Sequence, residues 1–106
     1  MRVLVLPDSI PKTQQKIWGV IALIPQGKVT TYGQIAFLAG LSQQARLVGR
    51  ILSNLPKGTR LPWHRVVNAE GKIVSPSRDK QIKLLAKEGV LPVNGRIDLK
   101  THQWQP

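Results

Sequence analysis

A mostly α-helical domain with small β-hairpins, arranged as a winged-helix-like helix-turn-helix, is the fold class this sequence predicts. Three observations carry it. Apolar residues recur at helical spacing in three separate stretches, two of those stretches are short and meet at Gly40, and pairs of β-branched residues flank tight-turn signals.

Taken in order, Val3–Leu6 is apolar and reads as extended, with Pro7 and Pro11 bracketing a turn. From Lys12 to Ile24, the residues Ile17, Val20, Ile21 and Ile24 fall at i, i+3, i+4 and i+7, one face of a helix that Pro25 stops. PQGK is a tight turn. Thr30 or Thr31 caps a second helix that runs to Ala39 with Ile35, Ala36 and Leu38 inward, and Gly40 ends it. Ser42 caps a third, Gln43–Ser53, whose apolar stripe is Leu47, Val48, Ile51 and Leu52. Val66–Val67 and Ile73–Val74 around NAEGK predict a hairpin. Arg78–Glu88 predicts a last helix with Ile82, Leu85 and Ala86 inward, and Val93-Asn94-Gly95-Arg96 predicts a hairpin turn.

The chain has 106 residues, enough for one domain spanning 1–106. Its apolar runs fall far short of the ~20 residues of a membrane span, and MRVLVLP is too short and lightly charged for a secretory signal. No membrane association is expected. With no cysteine and only His64 and His102, neither a disulfide framework nor a metal centre is expected, and no cofactor. The expected location is cytoplasmic, at the nucleoid if the source is bacterial.

Charge is the strongest compositional signal. Sixteen Lys and Arg against five Asp and Glu give a net +11, a field that attracts polyanions. The helix pair around Gly40 fits a nucleic-acid reader, its second helix displaying Arg46 and Arg50 four residues apart beside the small Ala45 and Gly49.

LPWHRVV, residues 61–67, is the stretch closest to chemistry. Pro62 fixes the chain, His64 follows, and two β-branched residues lead away. Yet Trp63 stands where a nucleophile would be most useful, and an indole offers a donor and no usable lone pair.

IPQGKVTTYGQIA, ARLVG, LPWHRVV and LLAKEG, in that order and spacing between Gln15 and Gly89, resemble the DNA-binding and active-site domain of the O6-alkylguanine-DNA alkyltransferases. That family's third block reads Pro-Cys-His-Arg-Val, so Trp63 takes the cysteine's position. Together with the C-terminal GRIDL and Trp104, this is similar to the alkyltransferase-like proteins, which bind alkylated guanine without repairing it.

The resemblance implies a role for each matching position. Arg46 is the finger that fills the gap left by a flipped nucleotide, and Tyr32 presses on the neighbouring phosphate. The backbone carbonyls of Trp63 and Val66 meet the guanine edge, Leu52 lines its face, and Arg78 approaches O6 from the following loop. His64 and Glu88 are relics of the relay that prepares a thiolate elsewhere in the family. The implied partner is duplex DNA carrying O6-alkylguanine, then nucleotide excision repair proteins; the implied activity is binding, not catalysis. Two departures stand out: Leu55 replaces the family's Asn before the proline, and 72–77 lacks the family's Gly- and Tyr-containing loop.

Plainer readings exist. Tyr32 would pack a helix start, Arg46 would be a surface arginine, Trp63 would be core, and His64 with Glu88 would hold a turn. Trp18 and Trp104 are assigned to packing, and His102 to no role. A helix-turn-helix regulator without lesion preference is the rival function.

Overall fold

The stripe of Ile17, Val20, Ile21 and Ile24 needs a partner surface, and two further helices supply it. In a computed structural model describing residues 10–106, helix α1 spans Lys12–Ala22, α2 Tyr32–Leu38 and α3 Ala45–Ser53. The extended start expected at Val3–Leu6, and Pro7, lie outside the described residues. Ile17, Ile21 and Ile24 pack with Ile35, Ala36, Ala39 and Val48 into one core.

Turn chemistry sets the angles. In PQGK, Lys28 N donates to the Pro25 carbonyl at 3.2 Å, with Gly27 at φ +83°. The Thr31 hydroxyl accepts from Gln34 N and caps α2. That helix closes on a Schellman arrangement: Gly40 N donates to Phe37 O, and Leu41 N to Ala36 O at 2.8 Å. Leu38, expected inward, is 39% exposed; the helix ends there, and Ala39 takes the core position.

Ser42 does not cap α3, which begins at Ala45 rather than Gln43. Gln43 sits at φ +68°, in the left-handed region, so the helix cannot start until the chain has passed it. The resulting α2–turn–α3 unit is the predicted helix-turn-helix.

The sheet differs from expectation. Strands β1, Thr30–Thr31, and β2, Val66–Val67, pair in parallel, Thr30 with Val66 and Thr31 with Val67. Val66–Val67 therefore do not form a hairpin with Ile73–Val74. Asn68 explains why: its Oδ1 accepts from Glu70 N and Lys72 N, and its own N–H donates to Lys72 O, curling NAEGK into a compact loop. At the loop's tip Gly71, at φ +83°, lies so close to Ile97 that a Cβ would stand 2.3 Å from its carbonyl oxygen. The Asn94-Gly95 turn forms as expected, with Val93 and Arg96 exchanging backbone hydrogen bonds.

β2 divides two cores. Val66 faces the three-helix core, while Val67 faces Val29, Ile73, Leu85, Val90 and Ile97. Helix α4, Arg78–Lys87, closes the second core and ends on another Schellman turn, Gly89 N to Ala86 O and Val90 N to Leu85 O. Ala86, expected inward, is exposed, and the inward place four residues before Leu85 goes to Gln81. A short helix unforeseen in the sequence, α5 (Leu99–His102), is capped by Asp98 and returns Trp104 to bond Val29 and pack on the first core.

Candidate nucleic-acid interface

Helix α3 turns one face inward and leaves the other free. Val48 is buried in the core, whereas Ala45, Arg46, Gly49, Leu52 and Ser53 line a cavity of about 430 Å³. Opposite them stand Trp63, on a 3₁₀ turn over Trp63–Arg65, and Val66. Tyr32, at the first turn of α2, closes one side, its ring in ordinary contact range of a Cβ placed on Gly49. Burial pushes the Tyr32 phenol up, so it is a neutral hydroxyl at neutral pH. A mostly apolar concavity of this size is typical of sites that take a small ring system.

Five of the sequence-derived residues, Tyr32, Arg46, Leu52, Trp63 and Val66, thus meet around one cavity. Trp63 is half-buried, belongs to neither core, and meets the His64 ring edge-on at 6.2 Å. Two residues lie elsewhere. Arg50 is exposed, off the cavity lining. Arg78, also off the lining, donates through Nη1 to the Ile73 carbonyl at 2.9 Å, bracing the loop before α4.

The carbonyls expected to meet a base edge each have one partner already. Trp63 O accepts from Val66 N. Val66 O accepts from Gln81 Nε2 at 2.8 Å, and the same nitrogen reaches His64 O at 2.9 Å. Each oxygen keeps one lone pair free. Gln81 is 1% exposed and holds this turn against α4. Its sequence signal was a polar residue on the apolar face of its helix, four residues before Leu85.

His64 and Glu88 do come together, Nε2 to Oε2 at 2.6 Å. Glu88, however, has other partners. Arg65 forks onto it through Nε and Nη2 at 2.8–3.1 Å, and Gly27 N donates to Oε1 at 2.8 Å. The second terminal nitrogen of Arg65 reaches the Ile24 carbonyl at 2.7 Å. Burial alone would raise the Glu88 carboxyl, but the donors from Arg65, Gly27 and His64 outweigh it and hold it at about 2. This is a clamp joining the end of α1, the 3₁₀ turn and the end of α4. Arg65 was not singled out in the sequence, although it stands inside LPWHRVV. Among the described residues no group of three or more His, Cys, Asp or Glu could hold a metal ion, and no helix is long and apolar enough to cross a membrane.

Comparison with known proteins gives the chain a family. Residues 12–90 match the family described as 6-O-methylguanine DNA methyltransferase, DNA binding domain. The chain is 47% identical over 100 residues to the DNA base-flipping protein of Escherichia coli K12, covering 92% of this chain and 75% of that one. It is 35% identical to Alkyltransferase-like protein 1 of Schizosaccharomyces pombe, over 86% of this chain and 93% of the relative. The crystal structure of S. pombe Atl1 in complex with damaged DNA containing O6-carboxymethylguanine superposes with a TM-score of 0.84 at 33% identity, covering 90% and 96% of the two chains. On these grounds the chain belongs to the family built on the DNA-binding domain of the 6-O-methylguanine DNA methyltransferases, on its alkyltransferase-like side.

Proposed function

We propose that this protein is a non-enzymatic sensor of O6-alkylguanine in duplex DNA. It flips the modified nucleotide into the cavity between α3 and the Trp63 turn, and hands the site to nucleotide excision repair. The observation that carries the reading is the convergence of Tyr32, Arg46, Leu52, Trp63 and Val66 on one apolar cavity in a chain of net charge +11. Lesion binding is further supported by the relatives' names and by the DNA complex of Atl1.

Flipping a base costs a few kcal/mol in unstacking and unpairing, less where the pair is already damaged. Basic residues hold the backbone while the exposed guanidinium of Arg46, on the rim of the cavity, fills the vacated stack. Trp63 offers an apolar wall to the alkyl group, with ~25 cal/mol available per Å² it covers. Transfer of that group to the protein would need a soft nucleophile such as a thiolate, and the sequence contains no cysteine. Trp63, in the cysteine's place by the sequence pattern, cannot supply one. The pocket therefore binds the alkylated base and leaves it unchanged.

Paired duplexes with and without O6-methylguanine provide the test. Tighter binding of the modified duplex in several sequence contexts is expected, with the lesion intact and the protein mass unchanged after incubation. Equal affinity for the two duplexes, or a protein heavier by one methyl group, would overturn the proposal.

A further inference from the structure

A second hollow of about 370 Å³ adjoins the cavity, and Leu52, Ser53, Trp63, Ser75 and Pro76 contribute to both. Its remaining wall has a different chemistry, with Lys57, Thr59, Ser77 and Lys80 along it and no acidic residue among its lining. The Thr59 hydroxyl oxygen accepts from Leu61 N, and that of Ser75 from Ser77 N, so both hydroxyl hydrogens remain available to donate. Neither Lys57 nor Lys80 has a salt-bridge partner among the described residues. The hollow thus presents ammonium groups and hydroxyl donors, beside a first cavity that is mostly apolar.

We infer that this hollow receives the far end of long O6 substituents and selects those ending in a carboxylate. The inference rests on the first cavity being the lesion site. A base seated there places its O6 group against Trp63, one of the five residues common to both spaces, and a tether of several carbons then has the second hollow beyond it. Lesions with short alkyl groups would end in the apolar cavity and never meet the lysines. The charge matters because DNA is a polyanion: a carboxylate added to the duplex is repelled by the neighbouring phosphates unless the protein supplies cations at its terminus. Charge-assisted hydrogen bonds from Lys57 and Lys80 supply them.

Four duplexes distinguish the possibilities, carrying guanine, O6-methylguanine, O6-(3-carboxypropyl)guanine or its uncharged amide, O6-(3-carbamoylpropyl)guanine. The two long groups match in length, so their ratio reads charge alone. The protein should bind the carboxylate about three- to tenfold more tightly than the amide. The double variant Lys57→Gln/Lys80→Gln should bring that ratio to one while leaving the preference for O6-methylguanine over guanine unchanged. Both lysines are exposed, so a thermal melt of the variant should match the parent. A ratio of one in the parent protein would overturn the inference. So would a double variant that weakens all four duplexes alike, since the lysines would then be contacting backbone phosphates. Loss of preference already at O6-methylguanine over guanine would instead strike the cavity reading, and this inference with it.

Discussion

Arg46 and Trp63 sit on the same cavity but face different tasks. Arg46 is exposed on α3, so its guanidinium is free to enter a duplex, whereas Trp63 is half-buried on the opposite wall. Replacing Arg46 with Ala should weaken binding to plain and damaged DNA and remove the fluorescence rise of a base analogue placed opposite the flipped site. Replacing Trp63 with Ala should leave plain-DNA affinity nearly unchanged and reduce the preference for larger O6-alkyl groups by about 1–3 kcal/mol, the worth of a partly buried aromatic wall. Because Trp63 lies outside both cores, the folded fraction should stay near that of the parent. A sharp fall in melting temperature with lesion preference intact would make Trp63 a structural plug.

Elements meet at Glu88, and there the structural role of the His64–Glu88 pair is measurable. Its folded pKa is about 2 against an ordinary 4.5, so the unfolded chain binds the proton more readily. Stability from this group is complete above about pH 5 and is lost as pH falls toward 2, a loss of up to about 3 kcal/mol. Glu88→Gln, which leaves the Arg65 fork without its charge, should destabilise the protein by a similar amount at neutral pH and flatten acid sensitivity in that window. Asp98, lowered chiefly by the Thr101 hydroxyl, is common to both proteins and cancels in the difference. Denaturant midpoints between pH 2 and 6 check this; parallel curves for the two proteins would refute it. The clamp also marks the limit of what sequence makes legible. Helical stripes and Gly-terminated ends announced α1, α2 and α4, because those signals are local. Trp63, Arg46 and Tyr32 stood out through motif blocks. The parallel pairing of Thr30–Thr31 with Val66–Val67, the fork of Arg65 and the bridge from Gln81 depend on contacts between distant segments, which carry no local signature. The hydrogen bond from Arg78 to the Ile73 carbonyl is of the same kind, visible only once the fold brings the loop before α4 within its reach.

Across the whole molecule, two binding energies with different physical origins should be separable. Sixteen basic residues against five acidic ones are spread along the chain, so affinity for undamaged duplex comes from neutralising phosphates and releasing condensed counterions. That affinity should fall steeply with salt, by about 0.9 in logarithmic slope per phosphate contacted. The increment gained from an O6-methyl group has another source. It arises inside a cavity whose walls, Leu52, Trp63 and Val66, are apolar, and burial of a methyl group displaces water rather than ions. The ratio of affinities for modified and plain duplex should therefore stay nearly constant between low and physiological salt while both affinities drop together. Titrations of the matched pair at four salt concentrations give both slopes. If the ratio itself falls as steeply as the plain-DNA affinity, discrimination is made by extra phosphate contacts on a distorted backbone. The cavity would then be a consequence of the fold and not the place where the lesion is read.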